Sequence, residues 1–192
     1  MNKDDVRSKR TEEALLRALG ELLQQKQLWE ITVSELVQLA GVHRSTFYTH
    51  YTDIYALYKA AEDQFLGLCQ ELIQASEAHD YTGIFRDIIT YLDENRSAAI
   101  IFFGDRCEPT FKTRLLGFAM EQYLEISAYE DQAAKIPQDW NLLAAYHIGG
   151  FMRLITDWVL SDFSISKESM ISLCIELDLS MAKLRREKLN KA

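Results

Sequence analysis

The chain has 192 residues, of which 48% are apolar and 26% charged, and its formal net charge is −8 at pH 7. This composition is typical of a globular protein and excludes a disordered chain, and no apolar run approaches the roughly 18 residues of a membrane span. The start lacks the apolar segment of a signal peptide, and the three cysteines lie far apart. We therefore expect a cytoplasmic protein with reduced thiols, without a cofactor or a metal site.

The negative charge is unevenly distributed along the chain. Residues 1–60 hold eight Lys or Arg and eight Asp or Glu, so the remainder of the chain carries the whole net charge of −8. A basic cluster lies at the start of the chain: Lys3, Arg7, Lys9, Arg10 and Arg17. Such a cluster can follow a phosphate backbone, although a solvated helix start has the same composition. Within it, Lys9 and Arg10 are our candidates for phosphate contact.

The first part of the chain predicts three helices. Apolar residues recur with helical spacing over residues 11–26. Thr32 and Glu35 then form a capping box that begins a second, two-turn helix, which ends at Gly41. The third predicted helix covers residues 43–51 and carries hydrogen-bonding side chains between a few core positions.

A longer fourth helix is predicted over residues 53–75, where it connects two parts of the chain. Five further helices follow, at residues 81–95, 96–104, 109–128, 139–161 and 166–189. No strand pattern competes with them. The predicted fold is therefore all-α with about nine helices, divided into a three-helix domain over residues 1–52 and a helical domain over residues 53–192.

The second and third helices have the pattern of a helix-turn-helix. Two short helices joined by a glycine-containing turn, with an apolar helix behind them, allow one helix to enter a major groove of DNA. On the third helix Arg44 can pair bidentately with guanine, and Ser45 and Thr46 can reach bases or phosphates. Tyr48 and His50 can donate to phosphate oxygens. Polar side chains on a short helix are also often merely solvated, so residue types alone leave both interpretations open.

Residues 31–36 and 40–51 resemble the DNA-binding signature of the TetR family of transcriptional regulators. The similarity covers residues 10–66 and includes an Ala-Gly-Val turn, a Thr-Phe-Tyr core and a histidine followed by an aromatic residue. The resemblance implies an N-terminal helix-turn-helix and a homodimeric repressor that a small-molecule effector releases from a pseudo-palindromic operator in double-stranded DNA. The residues that fall on the family's DNA-contact positions are Ser34, Arg44, Ser45, Thr46, Tyr48, Thr49 and His50.

Ile54 departs from the family pattern. Family members commonly carry a lysine there, which meets a phosphate at the start of the fourth helix, and isoleucine cannot make this contact. The hydroxyl of Thr52 or Tyr55 could replace it, or Ile54 could belong to the core.

The helix predicted over residues 139–161 is apolar on nearly every side, so nearly every side must be buried. In a chain of this size a partner subunit best explains the second buried face, although both last helices could instead be central in a monomer. The family resemblance also implies a dimer through the last two helices. The residues predicted at the dimer interface are Trp140, Ala144, His147, Phe151, Leu154, Trp158, Cys174, Leu177 and Met181.

The resemblance further implies an effector pocket among the fourth to eighth helices. The residues that could line it are Phe65, Phe85, Phe102, Phe103, Phe118 and His147. Aromatic residues at helical spacing are more often plain core, and His147 could equally be a core, interface or ligand-binding residue.

Two other function classes fit the sequence less well. An enzyme is disfavoured because the sequence has no nucleophile elbow, glycine-rich phosphate loop or metal-binding motif. A TetR-like coactivator or adaptor that works mainly through a protein partner is the main alternative, since the acidic body and Ile54 both weaken the expected affinity for DNA.

Overall fold

The computed structural model describes residues 3–75, 81–133 and 136–189, and in these ranges the regular secondary structure is entirely helical. The described helices are, in chain order, α1 (Lys3–Leu23), α2 (Val33–Ala40), α3 (Arg44–His50), α4 (Ile54–Ala75), α5 (Tyr81–Glu94), α6 (Arg96–Phe103), α7 (Pro109–Glu130), α8 (Trp140–Leu160) and α9 (Lys167–Leu189). The predicted all-α fold is confirmed. None of these helices is both long and apolar enough to cross a membrane.

Helix α1 differs from its prediction, whereas the ends of α2 to α9 lie within two residues of theirs. It begins at Lys3 instead of residue 11. The additional two turns are mostly polar, and apolar periodicity cannot detect a helical segment whose sides face solvent. After α1, a short 3-10 helix at Leu28–Glu30 occupies the region where the apolar pattern breaks.

The described residues form two compact units, and their division differs from the boundary predicted after residue 52. Unit 1 comprises the described residues up to Gly67 together with Asn95–Glu108. Unit 2 comprises Leu68–Glu94 and the described residues from Pro109 onward. The first part of α4 and the whole of α6 therefore belong with the helix-turn-helix, because their apolar side chains pack there.

The core of unit 1 holds apolar side chains from α1, α2, α3 and α4. Its fully buried members include Leu15, Leu19, Leu36, Phe47 and Leu57. The predicted capping box begins α2: the Glu35 amide donates to Thr32 Oγ1 at 3.2 Å, and the Thr32 amide donates to Glu35 Oε2 at 3.1 Å. At the start of α4, Asp53 Oδ1 accepts a hydrogen bond from the Ala56 amide at 2.8 Å.

Helix α6 completes unit 1 by lying directly against α1. A Cβ atom placed on Gly20 would lie 3.0 Å from the carbonyl oxygen of Ser97 and 3.1 Å from its Cα, closer than real Cβ atoms normally come. After α6, Arg106 donates from Nη1 to the carbonyl oxygen of Gln24 at 2.8 Å. Glycine at position 20 is therefore what allows the two helices to touch.

We expect Gly20→Ala to destabilise the protein. The added methyl group would press on backbone atoms of α6, and overpacking of this kind costs about 1–3 kcal/mol, which outweighs the gain of up to about 1 kcal/mol in helix propensity. The matched control is Gly117→Ala in α7, where a Cβ atom would meet nothing within 4 Å. Thermal unfolding should show a lower Tm for the first variant and an unchanged or higher Tm for the second. Equal stabilisation of both would contradict the close contact.

In unit 2, a buried ion cluster ties α9 to the end of α7. Arg185 is only 2% exposed, and its guanidinium donates to Glu130 Oε2 at 2.9 Å, to Tyr123 Oη at 3.0 Å and to Asp131. Burial raises the pKa of the Asp131 carboxyl, but the hydrogen bonds from Arg185 and Arg186 outweigh it, so its pKa is below the usual range. Asp131 therefore stays ionised, and its charge is compensated within the unit.

Candidate nucleic-acid interface

Helices α2 and α3 are joined by a tight turn at Gly41. Gly41 has φ 66° and ψ 32°, the left-handed conformation that glycine adopts without strain. The following amide, of Val42, donates to the carbonyl oxygen of Val37 at 3.0 Å. This turn redirects the chain into α3, as the sequence predicts.

Phe47 anchors α3 to unit 1. Its side chain is completely buried, and its ring lies 5.5 Å from that of Tyr48 and 5.8 Å from that of Tyr51, measured between centroids. With this one residue in the core, the remaining sides of the seven-residue helix face outward. Helix α3 therefore presents a polar surface held by an apolar anchor.

The structure brings the predicted DNA-contact residues of α3 together on this surface. Arg44, Ser45, Tyr48, Thr49 and His50 are exposed, and Thr46 is half-buried. Ser34 is exposed on the first turn of α2. All seven residues lie in unit 1.

Arg44 and Tyr48 form a pair one helical turn apart. Arg44 Nη2 donates to Tyr48 Oη at 3.3 Å, and the guanidinium carbon lies 5.6 Å from the centroid of the tyrosine ring. Within the part of the chain that the structure describes, Arg44 has no carboxylate partner. Its positive charge is thus oriented by an aromatic side chain and remains uncompensated.

A polar cleft of about 380 Å³ lies between α1 and α3. The residues that line it are Arg7, Ser8, Thr11, Ser45, Thr46, Thr49 and His50. The predicted phosphate-contact residues Lys9 and Arg10 are exposed on α1 but do not line the cleft. Ser8 and Thr11 were not among the predicted site residues, because only the basic residues of this segment pointed to phosphate contact.

Ile54 is buried in the core of unit 1, with 5% of its surface exposed. Of the two open possibilities, the structure therefore favours a core role for this residue. Thr52 and Tyr55, on either side of it, are exposed. Their hydroxyl groups are the ones at the start of α4 that face solvent.

Glu35, near the start of α2, is paired with Lys26. The hydrogen bond from the Lys26 ammonium group, and next those from Thr32, lower the pKa of Glu35 to about 2. This acidic group is therefore ionised at neutral pH and has its own cationic partner, which limits its repulsion of a nearby anion.

The residues predicted at a dimer interface divide into an inner and an outer group. Trp140, Ala144, His147, Trp158 and Cys174 are buried within unit 2 itself. Phe151, Leu154 and Met181 are half-buried, and Leu177 is exposed. A buried side chain offers a partner almost no surface, so only the outer group is available for contact with a second chain.

The outer group borders an apolar groove of about 690 Å³ in unit 2. The residues that line it, from α5, α8 and α9, are Phe85, Tyr146, His147, Gly150, Phe151, Arg153, Leu154, Cys174, Leu177, Ser180, Met181 and Leu184. His147 Nε2 lies 3.0 Å from Asp178 Oδ1, and both side chains are buried. The groove is therefore largely apolar, with His147, Arg153 and Ser180 as polar residues in its lining.

The six predicted effector-pocket residues fall into different places. Phe65 stacks on Phe102, with 4.7 Å between ring centroids, and contacts Phe103 edge-on at 6.0 Å, all within unit 1. Phe85 and His147 contact each other in unit 2, with centroids 5.7 Å apart, and line the groove. Phe118 is half-buried in unit 2 and does not line the groove.

Comparison with known proteins identifies the class. A family model described as the C-terminal region of transcriptional regulators, TetR_C_8, matches residues 79–177, which is half of the chain. The chain therefore belongs to the TetR family of transcriptional regulators. No curated protein matches it.

Solved structures share the fold at low sequence identity. A TetR transcriptional regulator from Streptococcus agalactiae is 22% identical, with a TM-score of 0.59 over 91% of this chain and 96% of that one. The dihydroxyacetone kinase operon activator DhaS is 19% identical, with a TM-score of 0.59 over 91% and 97%. NalD, the secondary repressor of the MexAB-OprM multidrug efflux pump in Pseudomonas aeruginosa, is 18% identical, with a TM-score of 0.61 over 91% and 95%.

Proposed function

We propose that this regulator binds a pseudo-palindromic operator as a homodimer, represses transcription from it, and is released by a small-molecule effector. The observation that carries the proposal is the exposed polar face of α3, with the Arg44–Tyr48 pair at its centre. A helix of this kind, held behind by α1 and α2, is the element that helix-turn-helix proteins place in the major groove.

Arg44 has the chemistry for reading a base. A guanidinium group can donate two parallel hydrogen bonds to O6 and N7 of guanine. The contact with the Tyr48 ring already restricts the Arg44 side chain, so less conformational entropy is lost on binding. Ser34, Thr49 and His50 are also exposed. Ser34 and His50 suit phosphate oxygens, which position a protein without reading sequence, whereas Thr49 Oγ1 already donates to the carbonyl oxygen of Ser45. Thr52 and Tyr55 offer hydroxyl groups at the place where family members carry a lysine.

We expect Arg44→Ala to weaken operator binding by about 1–3 kcal/mol and to relax specificity at one base pair, because a bidentate base contact is lost. Binding to scrambled DNA should change much less. Titrations of the operator and a scrambled duplex, with DNA flanking the protein's own gene as the source of the operator, test this. Arg86→Ala, an exposed arginine of α5, is the matched control.

Two results would contradict the assignment. Equal losses on operator and scrambled DNA would show that Arg44 does not read a base. A wild-type protein without sequence-specific DNA binding would overturn the regulator mechanism and favour an adaptor that acts through another protein. A reporter gene gives the sign of regulation, since Arg44→Ala should raise transcription from a repressed promoter and lower it from an activated one.

The proposed dimer surface is the outer face of α8 and α9 in unit 2. Leu142 and Tyr146 on α8 are 74% and 75% exposed, and Leu177 and Leu184 on α9 also face solvent. Large apolar side chains grouped in this way mark an interaction surface in a monomeric unit. A two-fold dimer would present two copies of α3 to two half-sites of an operator about one helical turn apart, roughly 34 Å.

Leu177→Asp should convert the dimer into a monomer, because it places a charge in an apolar interface. Leu179→Asp is the matched control: Leu179 is also exposed, but two residues along a helix turn its side chain to nearly the opposite side, and it does not line the groove. Light scattering coupled to size exclusion measures the mass of each variant. If both variants stay dimeric, the dimer surface lies elsewhere.

The effector is proposed to occupy the floor of the groove, at Phe85 and His147. A volume of about 690 Å³ lies within the usual range of small-molecule sites, roughly 300–1,000 Å³. A largely apolar lining with a few polar side chains suits a largely apolar molecule that carries a hydrogen-bonding function. Closure of the rim by a second chain would exclude water from this site.

Phe85→Leu should raise the effector concentration needed to release the operator severalfold, since it removes part of the floor, and should leave operator affinity without effector unchanged. Phe118→Leu, in the same unit but away from the groove, is the control. A thermal-shift screen of small apolar compounds supplies the effector, and operator release is then titrated with the strongest compound. A larger shift for Phe118→Leu than for Phe85→Leu would move the site away from the groove.

A further inference from the structure

The polar cleft between α1 and α3 has a composition suited to an anion. Its seven lining residues include one arginine, one histidine and five hydroxyl-bearing side chains, and none of them is acidic. This is notable in a protein with a net charge of −8. The cleft is thus a local concentration of hydrogen-bond donors in an acidic molecule.

The hydroxyl groups of the cleft are not equally available. Thr11 Oγ1 donates to the carbonyl oxygen of Arg7 at 3.0 Å, and Thr49 Oγ1 donates to that of Ser45 at 3.0 Å. These two protons are therefore already committed to backbone acceptors. The structure shows no hydrogen bond from the side chains of the other five lining residues to any described residue: Arg7, Ser8, Ser45, Thr46 and His50.

Arg7 is the one arginine among the residues that line the cleft. Its side chain is exposed, and no described carboxylate pairs with it. Thr11 lies four residues after Arg7 and three after Ser8, and it shares a face of α1 with each of them, because residues three and four apart lie on one face of a helix. Lys9, two residues along, points to nearly the opposite side. The two basic residues thus have different surroundings although they are close in sequence.

We propose that this cleft seats one phosphodiester group of the operator backbone, with Arg7 as its charged ligand and Ser8, Ser45, Thr46 and His50 as further donors. The inference rests on the proposed DNA-binding function and deepens it by giving one phosphate a defined place between α1 and α3. The two walls of the cleft belong to α1 and α3, so a strand seated there fixes how far α3 reaches into the major groove. The contact positions the protein and reads no base.

The test compares Arg7→Gln with Arg86→Gln, two variants that each remove the charge of an exposed arginine. Arg86 lies on α5 in unit 2 and does not line the cleft. Loss of one phosphate contact lowers the slope of log K against log salt by about 0.9, so Arg7→Gln should lose about one unit of slope per protomer. Near 0.1 M salt this corresponds to roughly tenfold weaker binding per protomer. The loss should be equal for operator and scrambled DNA, and Arg86→Gln should retain the wild-type slope.

Several results would overturn the inference. Equal losses of slope in both variants would indicate a general effect of charge, and a wild-type slope in Arg7→Gln would show an empty cleft; either leaves sequence-specific binding by the wild type intact. Wild type that binds no DNA would remove the proposed function and the phosphate seat together. Inorganic phosphate at the same ionic strength serves as a probe. If it displaces DNA at the concentrations at which it perturbs the cleft residues in NMR spectra, the cleft is a free-anion site instead.

The side chains of Arg7 and Arg86 are exposed and can be replaced without loss of packing, and circular dichroism checks the fold of each variant. Ser45→Ala provides a second, uncharged variant of the other wall. It should weaken operator and scrambled DNA alike, by a smaller factor than Arg7→Gln and with no change of salt slope. A sequence-dependent loss in Ser45→Ala would assign Ser45 to a base and remove it from the seat.

Discussion

The contact between α1 and α6 at Gly20 is the constraint on which unit 1 depends. A domain of about 60 residues buries only about 60% of its unfolded surface and is marginally stable. Helix α6 adds the buried side chains of Ile101, Phe102 and Phe103 to this unit, and Phe65 of α4 packs against the two phenylalanines. The position of α3 is therefore supported by a segment that follows it by more than forty residues.

Much of this fold could be predicted from the sequence because its signals are local. The capping box at Thr32 and Glu35, the turn at Gly41 and the apolar spacing of the longer helices each depend on residues a few positions apart. The grouping of α6 with unit 1 depends instead on a glycine in α1 meeting a serine backbone in α6. Periodicity shows that α6 is apolar, and it contains no information about which helix covers it.

The candidate surfaces show the same limit. The residues of α3 were predictable because Phe47 alone must be buried and the neighbouring polar residues then face outward. The cleft with Arg7 was not predictable in this way, since the polar first turns of α1 carry no apolar stripe. For α8, apolar spacing identified Trp140, His147 and Trp158 but could not distinguish the side that packs within unit 2 from the side, at Tyr146, that stays exposed.

Unit 1 is assembled from two separate stretches of chain, and this limits how its helices can be exchanged with those of another protein. A crossover after α3 or within α4 would transfer α1 to α3 and leave behind α6, whose place against Gly20 would then be taken by a foreign sequence. Point substitutions on the surface of α3 leave this contact intact, whereas exchange of the N-terminal helices alone does not. A graft that is to keep its stability must carry Asn95–Glu108 along with the N-terminal helices.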